Sequence, residues 1–264
     1  GENELDSYPD YLTESFVELY RRFTTGPDNL LDLPVQRGAY LIITAPQFNT
    51  SYLQALAAWK QRIGYETQIK TTNETGGTSS QIRSYIANAY NTWETPPEFI
   101  LLIGDQDMGM PTNYVPGHAY QCCTDLPYTL IEGGAEDYFP EIHIGRLSID
   151  NTSQLQVFYN KMMSYERTPY TTSTNWFKHA LVIADHSGAE SCRFTKLFTE
   201  EMMLRAGYNN VTRAFNSTTS VVSQAINSGT SFVNYRGYGG STYWTLRFIY
   251  QFDTGDIAAL NNGY

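Results

Sequence analysis

At 264 residues the chain is long enough to bury a substantial core, as one large domain or two small ones. Its 27 acidic and 17 basic residues leave a net charge of −10 and no basic patch, which argues against nucleic acid as a partner and is compatible with calcium. No apolar run approaches the roughly 18 residues of a membrane span, and the opening "GENELDSYPD" is polar rather than a signal peptide, so the chain reads as a mature or excised segment.

Residues 1–36 read as a lead-in, in which "SFVELYRRF" offers an amphipathic turn or two before the breaker-rich "TTGPDNLLDLP". Beyond it, strand and helix patterns alternate regularly. "AYLIIT" (39–44), bounded by Gly38 and Pro46, predicts a buried parallel strand. Tyr52, Leu56, Trp59 and Ile63 then fall at helical spacing, stopped by Gly64. "ETQIK" (66–70) predicts a second strand, Ile82, Tyr85, Ile86 and Ala89 a second helix, and "FILLIG" (99–104) a third strand. Such a β-α-β-α-β unit calls for a parallel sheet with right-handed crossovers.

Residues 105–140 show no clear period, and a loop of that length inside a compact domain is more often functional than idle. "EIHIG" (141–145) predicts the next strand, and Leu155, Phe158, Tyr159 and Met162 a helix ending near "YERTPY". A second alternating set follows. It comprises "ALVIA" (180–184), a helix carrying Phe194, Leu197 and Phe198, "NVTRA" (210–214), a helix with Val222, Ala225 and Ile226 capped by Gly229, and "SFVNY". A break near Tyr170 divides the chain into a first α/β subdomain over 37–170 and a second over 171–264. In "DIAALNNGY", residues 256–260 predict a short helix and 261–263 its terminating turn; the next element expected is another central strand, so the fold reads as incomplete.

In open parallel sheets chemistry collects beyond the carboxyl ends of the strands, and four such loops carry candidate groups. "GDQDMGMP" holds Asp105 and Asp107, as apt for turns and caps as for function. "ADHSGAESC" brings Asp185, His186, Glu190 and Cys192 together, a nucleophile, a base and two acids by composition. A helix capped by Asp185 or Ser187 with Cys192 buried on it is the favoured reading there. "EGGAEDYFPE" alternates acids with backbone-exposing glycines, the oxygen-rich pattern of a hard cation; Glu132, Asp137 and Glu141 offer carboxylates and Phe139 a carbonyl. "FVNYRGYGGSTYW" is a strand running into a glycine-rich loop with Tyr238 between Gly237 and Gly239. Cys122, Cys123 and Cys192 are too few for a disulfide scaffold; one disulfide to Cys192 and three separate thiols are equally compatible.

The segments "YLIIT", "PPEFILLIGD", "TDLPYTLIEGGAEDYFPEIHIGRLS", "SYER" and "FVNYRGYG" resemble, in order and spacing, the gingipain-type cysteine peptidases, over roughly residues 37–263. The most specific part is 124–148, an acidic loop ending in Phe-Pro-Glu that runs into an Ile-Gly-Arg strand. The resemblance implies a caspase-like three-layer α/β/α fold with a mostly parallel sheet and two subdomains. It also implies structural calcium at Asp137, the Phe139 carbonyl and Glu141, with Glu132 or a neighbour as a further ligand. The family's catalytic pair is a histidine in a Gly-His-Gly loop and a cysteine at the end of the next strand.

The histidine's place is held here by Tyr238, the cysteine's lies beyond Tyr264, and the family's acid falls at Asp185 or Ser187, depending on a short gap. A phenol with a pKa near 10 is a poor proton shuttle at neutral pH and forms no cationic pair with a thiolate. Of His118, His143, His179 and His186, only His186 sits in a loop facing the presumed cleft, as the one candidate substitute. Two readings follow: a gingipain-like endopeptidase domain acting on proteins or peptides, inactive as this chain stands, or a non-catalytic binding or surface module derived from a peptidase. A nucleotide-binding domain is disfavoured, because no glycine fingerprint follows the first strand. The low charge and hydroxyl-rich composition, together with the resemblance, predict an exported bacterial protein at the cell surface or in the medium.

Overall fold

The structure is a computed structural model and describes residues 11–17, 33–116, 121–132, 138–185, 190–247 and 250–262. The chain divides into two compact units, residues 1–162 and 163–264.

In the first unit, β1 (Leu12–Thr13) pairs in parallel with β2 (Val35–Gln36). Four longer strands form a parallel sheet in the order β4-β3-β5-β8: β3 (Ala39–Thr44), β4 (Thr67–Thr71), β5 (Pro97–Ile103) and β8 (His143–Leu147). Parallel neighbours need crossovers, supplied by α1 (Ser51–Arg62) between β3 and β4, and by the short α2 (Thr72–Thr75) and α3 (Ser79–Thr92) between β4 and β5. Thr78 and Gln81 close a capping box at the start of α3, which explains why the helix begins there after the Gly76-Gly77 break. Leu41 and Ile43 of β3 and Ile100 and Leu102 of β5 share one face of the sheet, where Ile82 and Ile86 of α3 cover them. Their neighbours Ile42 and Leu101, on the opposite face, are buried as well, so the near-continuous apolar strands are those of a sheet covered on both sides.

Two details depart from the expected pattern. The long segment after β5 contains an antiparallel hairpin, β6 (Asn113–Pro116) and β7 (Gln121–Thr124), which its sequence period does not reveal. Strand β8 starts at His143 rather than at Glu141, because the Glu141 carboxylate turns back to accept the amides of Ile131 (2.8 Å) and Glu132 (3.4 Å). Helix α4 (Thr152–Glu166) follows, and the division between the units falls within it.

In the second unit β9 (His179–Ala184) is the centre of a parallel sheet ordered β10-β9-β11, with β10 (Asn210–Phe215) and β11 (Phe232–Arg236). Helix α5 (Glu190–Arg205) connects β9 to β10, and α6 (Thr219–Asn227) connects β10 to β11. Leu181, Ile183, Ala214 and Val222 form the core on one face, completed by Leu246 and Phe252 of the antiparallel hairpin β12 (Tyr243–Arg247) and β13 (Tyr250–Asp253). Ala180, Val182 and Met203 form the core on the other face. The expected apolar face of α5 is not the one it buries: Phe194 and Phe198 are 60% and 65% exposed, while Lys196 and Met203 face inward. Helix α7 (Thr254–Ala258) begins two residues before the expected start, where the Asp253 carboxylate accepts the amides of Gly255 and Asp256. No disulfide joins Cys122, Cys123 and Cys192.

Candidate functional site

The second unit's strand ends build the site. Parallel pairing of β9 with β11 continues one residue further through a bond from the Asp185 amide to the Arg236 carbonyl (3.1 Å). That bond carries Asp185, only 5% exposed, to the level of the loop after β11. Its Oδ2 accepts the amide of Tyr238 at 3.2 Å. The approach is so close that a Cβ on Gly237 would lie 2.2 Å from the Asp185 Cβ and 2.4 Å from the Tyr235 hydroxyl oxygen. Only glycine fits there.

The other side of the same peptide segment is held by Tyr235. Its hydroxyl lies 2.5 Å from the Tyr238 carbonyl and 3.0 Å from that of Thr245, and the Thr245 amide also donates to the Tyr238 carbonyl (2.9 Å). Burial, and then the negative charge of Asp185, push the Tyr235 phenol up to about 12, so it remains a donor throughout the physiological range. Trp244 stacks on the Tyr235 ring at 4.8 Å, with the ring planes 6° apart, and Gly239 pairs with Trp244 to close the loop. Residue 238 is thus fixed through its backbone amide and its carbonyl, while its phenol is 67% exposed.

Beneath this loop, on the α5 face of the sheet, lies a group absent from the sequence-level candidates. The Lys196 ammonium, on α5, donates to Asn234 Oδ1 on β11. Burial pushes the Lys196 pKa down and the neighbouring Arg236 charge pushes it further; Cys192, one turn earlier on α5, acts in the opposite sense. No sequence signal marked Lys196: Phe194, Leu197 and Phe198 point to the opposite face of the helix as the covered one.

The other sequence candidates are placed as follows. Asp185 is brought to residue 238, but onto its backbone rather than its side chain. His186 and Ser187 lie outside the described residues, as do His118 and Asp137. His143 stands at the amino end of β8, stacked on Phe16 and Phe99, and His179 is the first residue of β9, so neither is at a carboxyl strand end. Asp105 accepts the Gln106 amide (2.8 Å) as a local cap, and Asp107 lies in the exposed turn that follows. Glu190 pairs with Arg193 (3.0 Å), and Cys192 is half-buried in the first turn of α5. In the acidic loop Phe139 is exposed and Glu141 bonds the loop amides. Among the described residues no three carboxylate, imidazole or thiol groups stand close enough to hold a metal.

At the carboxyl end of β8 in the first unit, Arg146 uses all five of its N–H donors. Two go to Asp125 (2.8 and 2.7 Å), and the rest go to the carbonyls of Gly104, Met110 and Pro111. Arg146 and Asp125 line a cleft of about 150 Å³ with Asp105, Thr112 and Cys123. Buried Tyr128, pushed up to about 12 chiefly by burial, donates to the Pro111 carbonyl (2.5 Å) and steadies the same loop.

Comparison with known proteins locates this arrangement. Residues 34–264 match the sequence profile of peptidase family C25. The chain is 24% identical over 257 residues to Gingipain R2 of Porphyromonas gingivalis, covering 92% of the chain and 34% of that protein. It is 26% identical over 242 residues to Gingipain R1 of the same organism, covering 87% and 24% respectively. The crystal structure of the Arg-specific cysteine proteinase gingipain R superimposes with a TM-score of 0.74 at 25% identity, covering 85% of this chain and 52% of that one. The chain therefore spans about a third or less of the length of these sequence relatives, and its fold is that of the caspase-like α/β peptidases. No helix among the described residues is long and apolar enough to cross a membrane.

Proposed function

The chain belongs to peptidase family C25, and we propose that it is a gingipain-like cysteine endopeptidase domain whose 264 residues bind peptide at the strand-end site but do not by themselves hydrolyse it. Thiolate hydrolysis requires a sulfur that attacks the carbonyl and an imidazolium that protonates the leaving amine. One observation carries the reading: residue 238, at the histidine's place by the resemblance, is fixed at its amide by Asp185 and at its carbonyl by Tyr235, and presents an exposed phenol. The loop geometry supports a site, while the side chain in it lacks the proton-transfer chemistry. The same geometry favours a second reading, a binding module derived from a peptidase, because the loop is held without help from the side chain at 238.

The test is incubation of the protein with a panel of fluorogenic peptides and an electrophilic peptide probe, with mass spectrometry of every cysteine. The expected result is no turnover and no labelled thiol. Turnover accompanied by a labelled Cys192 overturns the proposal and makes this chain an enzyme in its own right.

Two further parts of the proposal concern setting. Export to the cell surface or medium is supported by the low charge and hydroxyl-rich composition. Structural calcium in the acidic loop is supported by its donor chemistry: Glu132, Glu141, Asp137 and the Phe139 carbonyl are hard oxygen donors of the kind calcium takes. One Glu141 oxygen accepts the amides of Ile131 and Glu132, which orients the carboxylate within the loop. A calcium ion bound only by the folded protein raises the melting temperature in millimolar calcium relative to chelator; an unchanged melt removes calcium from the proposal.

A further inference from the structure

We propose that Lys196, Arg236 and Asn234 form an oxyanion subsite at the carboxyl end of β11, and that it takes a carboxylate of the bound peptide. The inference rests on the peptide-binding reading above and adds the class of ligand.

Asn234 and Arg236 are two residues apart on one strand, so their side chains leave the same face of the sheet, the one that α5 covers. The Lys196 ammonium reaches that face from α5 and donates to Asn234 Oδ1. Lys196 is 5% exposed, whereas Arg236, at the strand's end, is exposed, so the pair runs from the interior to the surface.

The other arginines of this unit with a nearby acid are neutralised by it: Arg193 by Glu190, Arg205 by Glu201 and Arg213 by Glu200. Among the described residues no carboxylate pairs with Lys196 or Arg236. The groups that act on Lys196 are Arg236, of the same sign, and more weakly the Cys192 thiol, in the opposite sense. Lys196 and Arg236 are thus two cations of one sheet face with no carboxylate paired to either among the described residues.

A buried ammonium is costly unless it is paired and hydrogen-bonded. Asn234 accepts one of its three N–H groups and contributes no charge. An oxyanion between Lys196 and Arg236 supplies the missing acceptors and the missing charge, and the exposed guanidinium gives it a fork to enter on. Because the subsite adjoins the loop that fixes residue 238, the natural source is a peptide lying at the strand ends, through an acidic side chain or a free carboxyl terminus.

The test measures binding of three fluorescent hexapeptides to the protein. One carries a central Asp and an amidated end, one the isosteric Asn and an amidated end, and one Asn with a free carboxyl end. A carboxylate subsite gives about tenfold tighter binding to at least one acid-bearing peptide than to the neutral one, the effect of one charge-assisted contact. Which acid-bearing peptide is preferred identifies the source. The preference disappears in Arg236→Gln, an exposed position where the fold is retained, and in Lys196→Met. Equal binding of all three peptides, no binding of any, or a preference that survives Arg236→Gln overturns the proposal. Sulfate that raises the melting temperature equally in wild type and Arg236→Gln does the same. These outcomes are independent of the hydrolysis assay: turnover refutes the inactive-domain reading without touching the charge preference, and loss of the preference leaves the peptidase reading intact.

Discussion

Arg146 in the first unit and Arg236 in the second both stand near the carboxyl end of a parallel strand, yet their surroundings are opposite. Arg146 has a bidentate carboxylate and three carbonyls, so every donor is satisfied and the charge is cancelled inside the protein. Arg236 has no carboxylate among the described residues, and its neighbour Lys196 is a second cation. A closed charge of the first kind fixes a loop. An open one of the second kind leaves electrostatic work for a ligand. The difference teaches that the position of a charge at a strand end does not by itself mark function; whether its hydrogen-bonding capacity is already filled does.

The comparison is broken most severely by opening the closed centre. Arg146→Met leaves Asp125 as an uncompensated, mostly buried carboxylate and frees three carbonyls, and is expected to cost about 3–5 kcal/mol, measured by urea unfolding; a loss below about 1 kcal/mol would show that the loop relaxes to water and the centre is not closed. Next is Gly237→Ala, whose methyl collides with Asp185 and Tyr235. It is expected to cost about 1–3 kcal/mol and to release the Tyr238 amide, seen as faster hydrogen exchange at that amide while the amides of β9 stay protected. Tyr235→Phe keeps the ring stack on Trp244 and removes the single hydroxyl donor between two carbonyls, for an expected loss of about 1 kcal/mol. An unchanged unfolding midpoint would show that the Thr245 amide alone holds the loop.

The smallest effect sharpens the open centre. With the Lys196 pKa held down, the folded protein binds fewer protons than the unfolded chain between that lowered value and the ordinary lysine value near 10.4, so stability climbs as pH rises through that window. Tyr235 and Tyr128 act oppositely: raised to about 12, they lend stability that is complete below pH 10 and lost as pH rises through 12. Lys196→Met is expected to leave stability at neutral pH unchanged or slightly increased and to flatten the climb below pH 10, read from melting temperatures across the series. A climb of the same height in the variant would show that Lys196 is not the group responsible.

Much of the fold was legible because its strands are short, fully apolar runs. "AYLIIT", "FILLIG" and "ALVIA" are buried parallel strands as expected, since a sheet covered on both faces needs apolar side chains in both directions. The hairpin β12–β13 was not legible: of its described residues only Leu246, Thr245 and Phe252 are buried, too few to show a period. Helix α5 was recognised by Phe194, Leu197 and Phe198, but periodicity marks a helix without saying which face is covered. Here the covered face includes a lysine that reaches Asn234, a contact between residues 38 positions apart. At the site, Tyr238 and Asp185 were singled out, yet the contact between Asp185 and the amide of residue 238 depends on β9 and β11 lying side by side. No local pattern contains it.

The grip of Asp185 and Tyr235 on the main chain of residue 238 has a consequence for how such a domain changes over generations. Neither contact involves the side chain, so these two contacts are kept whatever stands at 238, and tyrosine and histidine codons differ by one base. On the function proposed above, the loop is a socket in which a lineage can exchange a proton carrier for a recognition surface, or the reverse, while the main chain stays held.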